Sequence, residues 1–273
     1  MSLRVDASRH RPVAAGLRRQ HRQRHPPRRP RRTIRRAAAV FTALAVLGGA
    51  ALGALLAATP AVGDAEARAR VLAGEHHIQD AGLPVPGRFA AALVATEDSR
   101  FYGHHGLDTL GVLRAGLGTL RPGGPDAGGA TLDQQLAKNL YPGGDSTTGN
   151  KVQQAGLALK LDHQYAKASI LEMYAEVAYF GNGYYGLAAS SCGYFGLPPA
   201  RLDWAQSTLL AGLVQAPSAY DPVTHADLAR SRQSAVLTRL VDTGALTNTD
   251  AAAIALTAWR LRPAGTAPGP GCP

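Results

Sequence analysis

Cysteine, lysine and alternating strand patterns are scarce in this 273-residue sequence. The two cysteines, Cys192 and Cys272, do not have metal-ligand spacing, which argues against a structural zinc site. The sequence leaves open whether they meet. Only four lysines occur, Lys138, Lys151, Lys160 and Lys167, all within one thirty-residue stretch. No run alternates apolar and polar residues over a useful length, and no internal repeat is present. An all-β or solenoid architecture is therefore excluded, and the apolar spacing predicts a mainly α body.

The net charge of +10 suggests a nucleic-acid partner until it is mapped. Thirteen arginines and the single Asp6 precede Ala37, so the basicity belongs to a tail and the remainder is close to neutral. The tail, residues 1–36, lacks apolar periodicity and is expected to be disordered and cytoplasmic. The 27 uncharged residues Ala37 to Gly63 follow it, and about 20 suffice to cross a bilayer. A transmembrane helix is expected over 37–59, with the arginines inside and Asp64 and Glu66 outside. Small residues between Ala58 and Ala67 would also suit a signal-peptide cleavage site, although the apolar run is long for one. Arginines beside a span already have a role, so nucleic acid is not an expected partner.

Beyond the span the body divides into residues 64–223 and a helical extension over 224–273 that ends in a loose, proline-rich tail. Helices are predicted over "GRFAAALVATED", "TLGVLRAGLGTL", "ATLDQQLAKNLY", "KVQQAGLALKLDHQY", "SILEMYAEVAYF", "RLDWAQSTLLAGLVQ", "DLARSRQSAVLTRLVDT" and "TNTDAAAIALTAW". Thr131 with Gln134, and Ser169 with Glu172, have capping-box spacing, and Gly244 is placed to end a helix. The stretches "RPGGPDAGG" and "PGGDSTTGN" are loops, the first expected to be mobile.

The stretch "ATEDSRFYGHHG" breaks a local rule, because an apolar helix ends on two carboxylates, Glu97 and Asp98, where the helix dipole disfavours them. Such a breach without evident compensation marks a candidate functional site. Together with "GGATLDQQLAKNLY", "YAKASILEMYAEVAYFGNGYYGLAAS" and "LLAGLVQAPSAYDP", it resembles the peptidoglycan glycosyltransferases of family 51, over roughly residues 73 to 223. These occur as the first domain of bifunctional penicillin-binding proteins and as monofunctional transglycosylases. The sequence has no lysine after Lys167, hence no Ser-x-x-Lys and Lys-Thr-Gly set, and the monofunctional architecture is expected.

The resemblance implies a lysozyme-like, two-lobed α fold that polymerises lipid II outside the cytoplasm, with release of undecaprenyl pyrophosphate. Glu97 matches the catalytic base. Asp98, Phe101, His104 and Gly106 match the rest of that motif, Asp98 as an orienting acid. Gly129, Thr131, Gln135 and Asn139 match the glycine-rich motif that contacts substrate, and Lys138 and Lys151 match cations that would face the anionic leaving group. A divalent cation, magnesium or manganese, is the implied cofactor. The implied partners are lipid II, the growing lipid-linked glycan, the membrane, and cell-wall synthesis or division proteins.

The sequence also departs from the family pattern. Gln154 stands where a second catalytic glutamate is expected, and Asn150 where an arginine is. Glutamine is a weaker ligand for a hard cation. Ala130, Asp133, Gln164, Glu176 and Leu197 are further departures, and Asp133 and Glu176 add negative charge that would either face the substrate or restore metal binding. Asp145 and Asp162 are neighbouring acids away from the matching position. Two readings stand: a working polymerase, and an impaired homologue that holds lipid II or a partner without turnover.

Overall fold

A computed structural model describes residues 31–76, 84–111, 130–142, 148–263, 265–267 and 269–272. The N-terminal arginine tail up to residue 30, most of the predicted helix "TLGVLRAGLGTL", the glycine-rich loop that includes Gly129, and Asp145 lie outside them. The chain divides into two compact units, Met1–Gly49 and Ala50–Pro273.

Helix α1, Arg31–Ala58, starts in the first unit and ends in the second. Its Ile34–Ala58 portion is long and apolar enough to cross a membrane, and its most apolar stretch is not buried by protein. The helix begins inside the predicted tail, so residues 31–36 are helical. Arginine is a good helix former, and extending a helix costs far less than starting one.

The second unit is built from α2 (Ala65–Glu75), α3 (Gly87–Glu97), α4 (Leu132–Leu140), α5 (Thr148–Gln164), α6 (Lys167–Val177), α7 (Leu187–Phe195), α8 (Trp204–Leu213), α9 (Ala226–Asp242) and α10 (Asn248–Leu256). Among the described residues there are two isolated β-bridges and no strand. The helices pack in two groups over one continuous apolar core. In the first, α4 packs on α5 and α6, and α2 packs on α6. In the second, α3 packs on α8 and α9, and α10 packs on α9. Phe89, Leu93, Phe101, Leu136, Leu157, Ile170 and Leu209 are all fully buried in that core.

Three details differ from expectation. Helix α5 starts at Thr148, inside the predicted loop, because its packing against α4 outweighs the weak propensity of "TTGN". Helix α6 starts at Lys167 with Ala166 as an uncapped N-cap, so Ser169 and Glu172 lie inside it and form no capping box. The ion pair of Lys167 with Asp162 fixes that end instead. The C-terminal tail is irregular but tied down: Arg262 donates its backbone N–H to Tyr194, Gly269 donates to Gly196, and Cys272 is disulfide-bonded to Cys192.

The last turn of α1 is fastened to α5. Lys160 donates to the carbonyls of Thr59 (2.6 Å) and Pro60 (2.9 Å), as a cation at a helix C-terminus should. Gly156 lets the helices approach closely, since a Cβ there would lie 2.9 Å from Thr59 Cγ2 and 3.1 Å from Leu55 Cγ. The helix that carries Lys151 and Gln154 is thereby held against the end of the membrane-length helix.

Candidate active site

Glu97 is the last residue of α3, and its side chain is 13% exposed. Each of its oxygens receives a donor from a different helix group. Gln135 Nε2, on α4, reaches Oε2 at 3.2 Å, and Arg232 Nη2, on α9, reaches Oε1 at 3.2 Å. Burial pushes the Glu97 carboxyl above the usual glutamate range, and neighbouring Asp98 pushes the same way. Gln135 and Arg232 pull against that shift without cancelling it. The result is a carboxylate with enhanced proton affinity whose position is fixed from both sides.

Asp98 resolves the broken helix rule. It is the C-cap of α3, but its carboxylate turns to the other helix group. There it accepts the backbone N–H of Leu132, the first residue of α4, at 3.0 Å. A negative charge disfavoured at one helix end is thus stabilised at the start of another. The same carboxylate accepts His104 Nε2 at 2.9 Å on both oxygens. Asp98 therefore positions α4 relative to Glu97.

Around it, Thr131 caps α4 in a complete capping box with Gln134 and donates its hydroxyl to Gly106 O at 2.7 Å. Gly106 has φ +74°, and a Cβ there would lie 2.6 Å from Ala158 O on α5. Only glycine fits that turn. Phe101 is fully buried and underlies the site, with Lys167 Nζ 4.4 Å above its ring.

Thr131, Gln135, Lys138 and Asn139 share one face of α4 by helical spacing. Lys138 and Lys151 are exposed, and Gln154 is half-buried. Among the described residues, these three side chains have no hydrogen-bond or ion-pair partner. The lysines are thus available to an anion. Asp133 is fully buried against Lys167, 3.1 Å away, and Lys167 also bridges to Asp162 at 2.6 Å. Asp133 therefore faces the protein interior rather than a substrate.

Sequence reasoning missed two residues of the site. Arg232 belongs to the segment read as an extension, yet it completes the Glu97 pair and donates Nε to Gly212 O at 3.1 Å. The signal was present, because Arg232 and Gln233 fall on the buried stripe of Ala229, Val236 and Leu240. Tyr174 is the other: it is buried in α6, and its hydroxyl donates to Gln135 Oε1 at 2.8 Å.

The fold and site define a helical domain that holds a largely enclosed carboxylate between two donors and carries two exposed lysines on α4 and α5, with a helix long enough to cross a membrane at its N-terminal side. Residues 75–241 match the family model described as Transglycosylase, and the chain belongs to that family. The match extends into α9 and so takes in Arg232. The chain is 38% identical over 160 residues to penicillin-binding protein 1F of Bacillus subtilis (strain 168), covering 59% of this chain and 22% of that protein. It is 37% identical over 163 residues to penicillin-binding protein 1A of Escherichia coli (strain K12), covering 60% and 19% respectively. The chain thus spans about a fifth of the length of these relatives. A crystal structure of penicillin-binding protein 1A from Haemophilus influenzae aligns with 48% of this chain and 16% of that one, at 22% identity and a TM-score of 0.34.

Proposed function

We propose that the protein is a peptidoglycan glycosyltransferase that polymerises lipid II, with inversion at the anomeric carbon, on the outer side of the membrane. The observation that carries this reading is Glu97, a largely enclosed carboxylate of raised proton affinity held by Gln135 and Arg232. It would remove the proton from the acceptor sugar hydroxyl as that oxygen attacks the anomeric carbon of the lipid-linked chain. The bond to the pyrophosphate oxygen breaks, and undecaprenyl pyrophosphate leaves. Lys138 and Lys151 would offset its negative charge. Asn139 completes the face that the substrate would meet; Thr131, buried and committed to Gly106 and its capping box, joins Asp98, Phe101, His104 and Gly106 in holding that face in place.

The described residues do not fit a divalent cation beside Gln154. That side chain is a neutral amide, and Asp162 is already engaged by Lys167 and His105. Asp98, His104 and Asp133 lie close enough together to hold an ion. Asp98, however, already accepts Leu132 N–H and His104, and Asp133 accepts Lys167.

The Cys192–Cys272 disulfide supports an oxidising location for the second unit, since such bonds rarely persist in the cytoplasm. With α1 as a single span, the arginine tail would then lie inside.

Gln154 favours one rival, an impaired homologue that binds lipid II without turnover. Purified full-length protein incubated with lipid II and magnesium or manganese separates the two. Polymer from the parent and none from Glu97→Gln supports the polymerase. No polymer from the parent, with polymer from Gln154→Glu, supports the rival.

A further inference from the structure

We propose that Tyr174 is a positioning residue for Glu97, acting through Gln135 to hold the carboxylate ready to accept a proton. The inference rests on the polymerase reading above. Gln135 has one end committed to Tyr174, whose hydroxyl donates to Oε1 at 2.8 Å. That contact, with the acceptor-only carbonyl of Ala130 at the other end, favours one direction of the amide. Its Nε2 then donates to Glu97 Oε2 and to Ala130 O, both at 3.2 Å.

Reversing the amide would point its carbonyl oxygen at two acceptors, the Glu97 carboxylate and the Ala130 carbonyl. An ionised Glu97 would be repelled, whereas a protonated Glu97 would donate to the reversed oxygen. The two amide orientations therefore select opposite protonation states of Glu97. The phenol adds to that choice: with the amide reversed it could only accept from Nε2, and its own buried proton would lose the acceptor it has in Oε1. Tyr174 is 2% exposed, and its burial, then the Glu97 charge, hold its proton affinity well above the usual range, so it stays a donor. The charged groups acting on Glu97 are Arg232 from α9 and Asp98 beside it, and neither touches the far end of Gln135. Among the described residues, Tyr174 is the hydrogen-bond partner at that end.

Tyr174→Phe keeps the ring and removes the donor. Two readouts test it on the full-length protein in detergent. The first is the pH dependence of the initial polymerisation rate. The second is the titration of the Glu97 carboxyl by carbon-13 NMR, assigned by loss of the signal in Glu97→Gln, which needs no turnover. The expected result is an upward shift of the Glu97 midpoint by about half a unit to one unit. The acidic limb of the rate profile should move with it, and kcat should fall more than KM rises. Tyr174→Phe made in a Gln135→Ala background should leave the Glu97 midpoint where Gln135→Ala alone puts it. A merely structural role would give additive effects instead. An unchanged Glu97 midpoint in Tyr174→Phe overturns the proposal whatever the activity. A shifted midpoint in a parent that makes no polymer supports the positioning role while the polymerase reading fails.

Discussion

Lys167→Met tests the electrostatic floor under the site. The ammonium lies 3.1 Å from Asp133 and 2.6 Å from Asp162, and those carboxylates are 0% and 8% exposed. Removing it leaves two buried anions side by side, and breaking a buried pair in this way costs about 3–5 kcal/mol. Asp133→Asn is the informative control, because Lys167 keeps Asp162 and the amide oxygen still accepts from Nζ. Its cost should be about 1 kcal/mol. Burial already pushes the Asp133 carboxyl upward against the pull of Lys167, so protonation offers relief when the lysine is gone. The Lys167→Met penalty should therefore be full at pH 8 and shrink as pH falls toward the carboxylate range. Urea unfolding followed by helical circular dichroism at pH 8 and pH 5, in one detergent, measures both variants. Equal costs for Lys167→Met and Asp133→Asn, or a penalty that grows on acidification, would refute the reasoning.

Glu97→Gln should leave the fold at least as stable as the parent at pH 8. A carboxyl whose proton affinity is raised on folding adds stability below its unfolded pKa and loses it as pH rises through the folded value. The difference from the parent should close below about pH 4, and a variant markedly less stable at pH 8 would contradict the burial argument. The Cys192–Cys272 bond spans 80 residues, so removing it by Cys192→Ser with Cys272→Ser should lower unfolding stability by up to about 4.5 kcal/mol. Melting that is indifferent to reductant would show that the bond is not formed. Gly106→Ala should cost about 2 kcal/mol or more, from positive φ and the clash with Ala158 O, and polymerisation should fall with it because Thr131 loses its anchor. A soluble, fully active Gly106→Ala protein would show that the turn does not position α4.

How much of this was legible in the sequence depends on the range of the forces involved. The capping box of Thr131 and Gln134 and the terminal glycine Gly244 were readable, because their partners lie within a few residues. So were the helical class and the apolar span. The pairing of Cys192 with Cys272 and the ion pair of Glu97 with Arg232 join residues 80 and 135 apart, and no local pattern specifies which distant groups meet. The capping box read at Ser169 does not form because Lys167, tied to nearby Asp162 and to Asp133 34 residues away, sets where α6 begins. The sequence left Asp133 open between a charge facing the substrate and a metal ligand, because helical position alone does not say which residue is buried against a lysine.

The acidic pair shows how the two levels join. Read locally, Glu97 and Asp98 are both misplaced at the end of α3. In the fold, each carboxylate takes its stabilisation from another helix, Asp98 from the N-terminus of α4 and Glu97 from Gln135 and Arg232. Asp98 is fully met by backbone N–H and His104, so it can hold α4 in register at little cost. Glu97 is met incompletely, because burial still outweighs its two donors, and a carboxylate left short of solvation is one that gains by taking a proton. The same dislocation that defeats the local helix rule thus produces one acid suited to positioning and one suited to acting as a base.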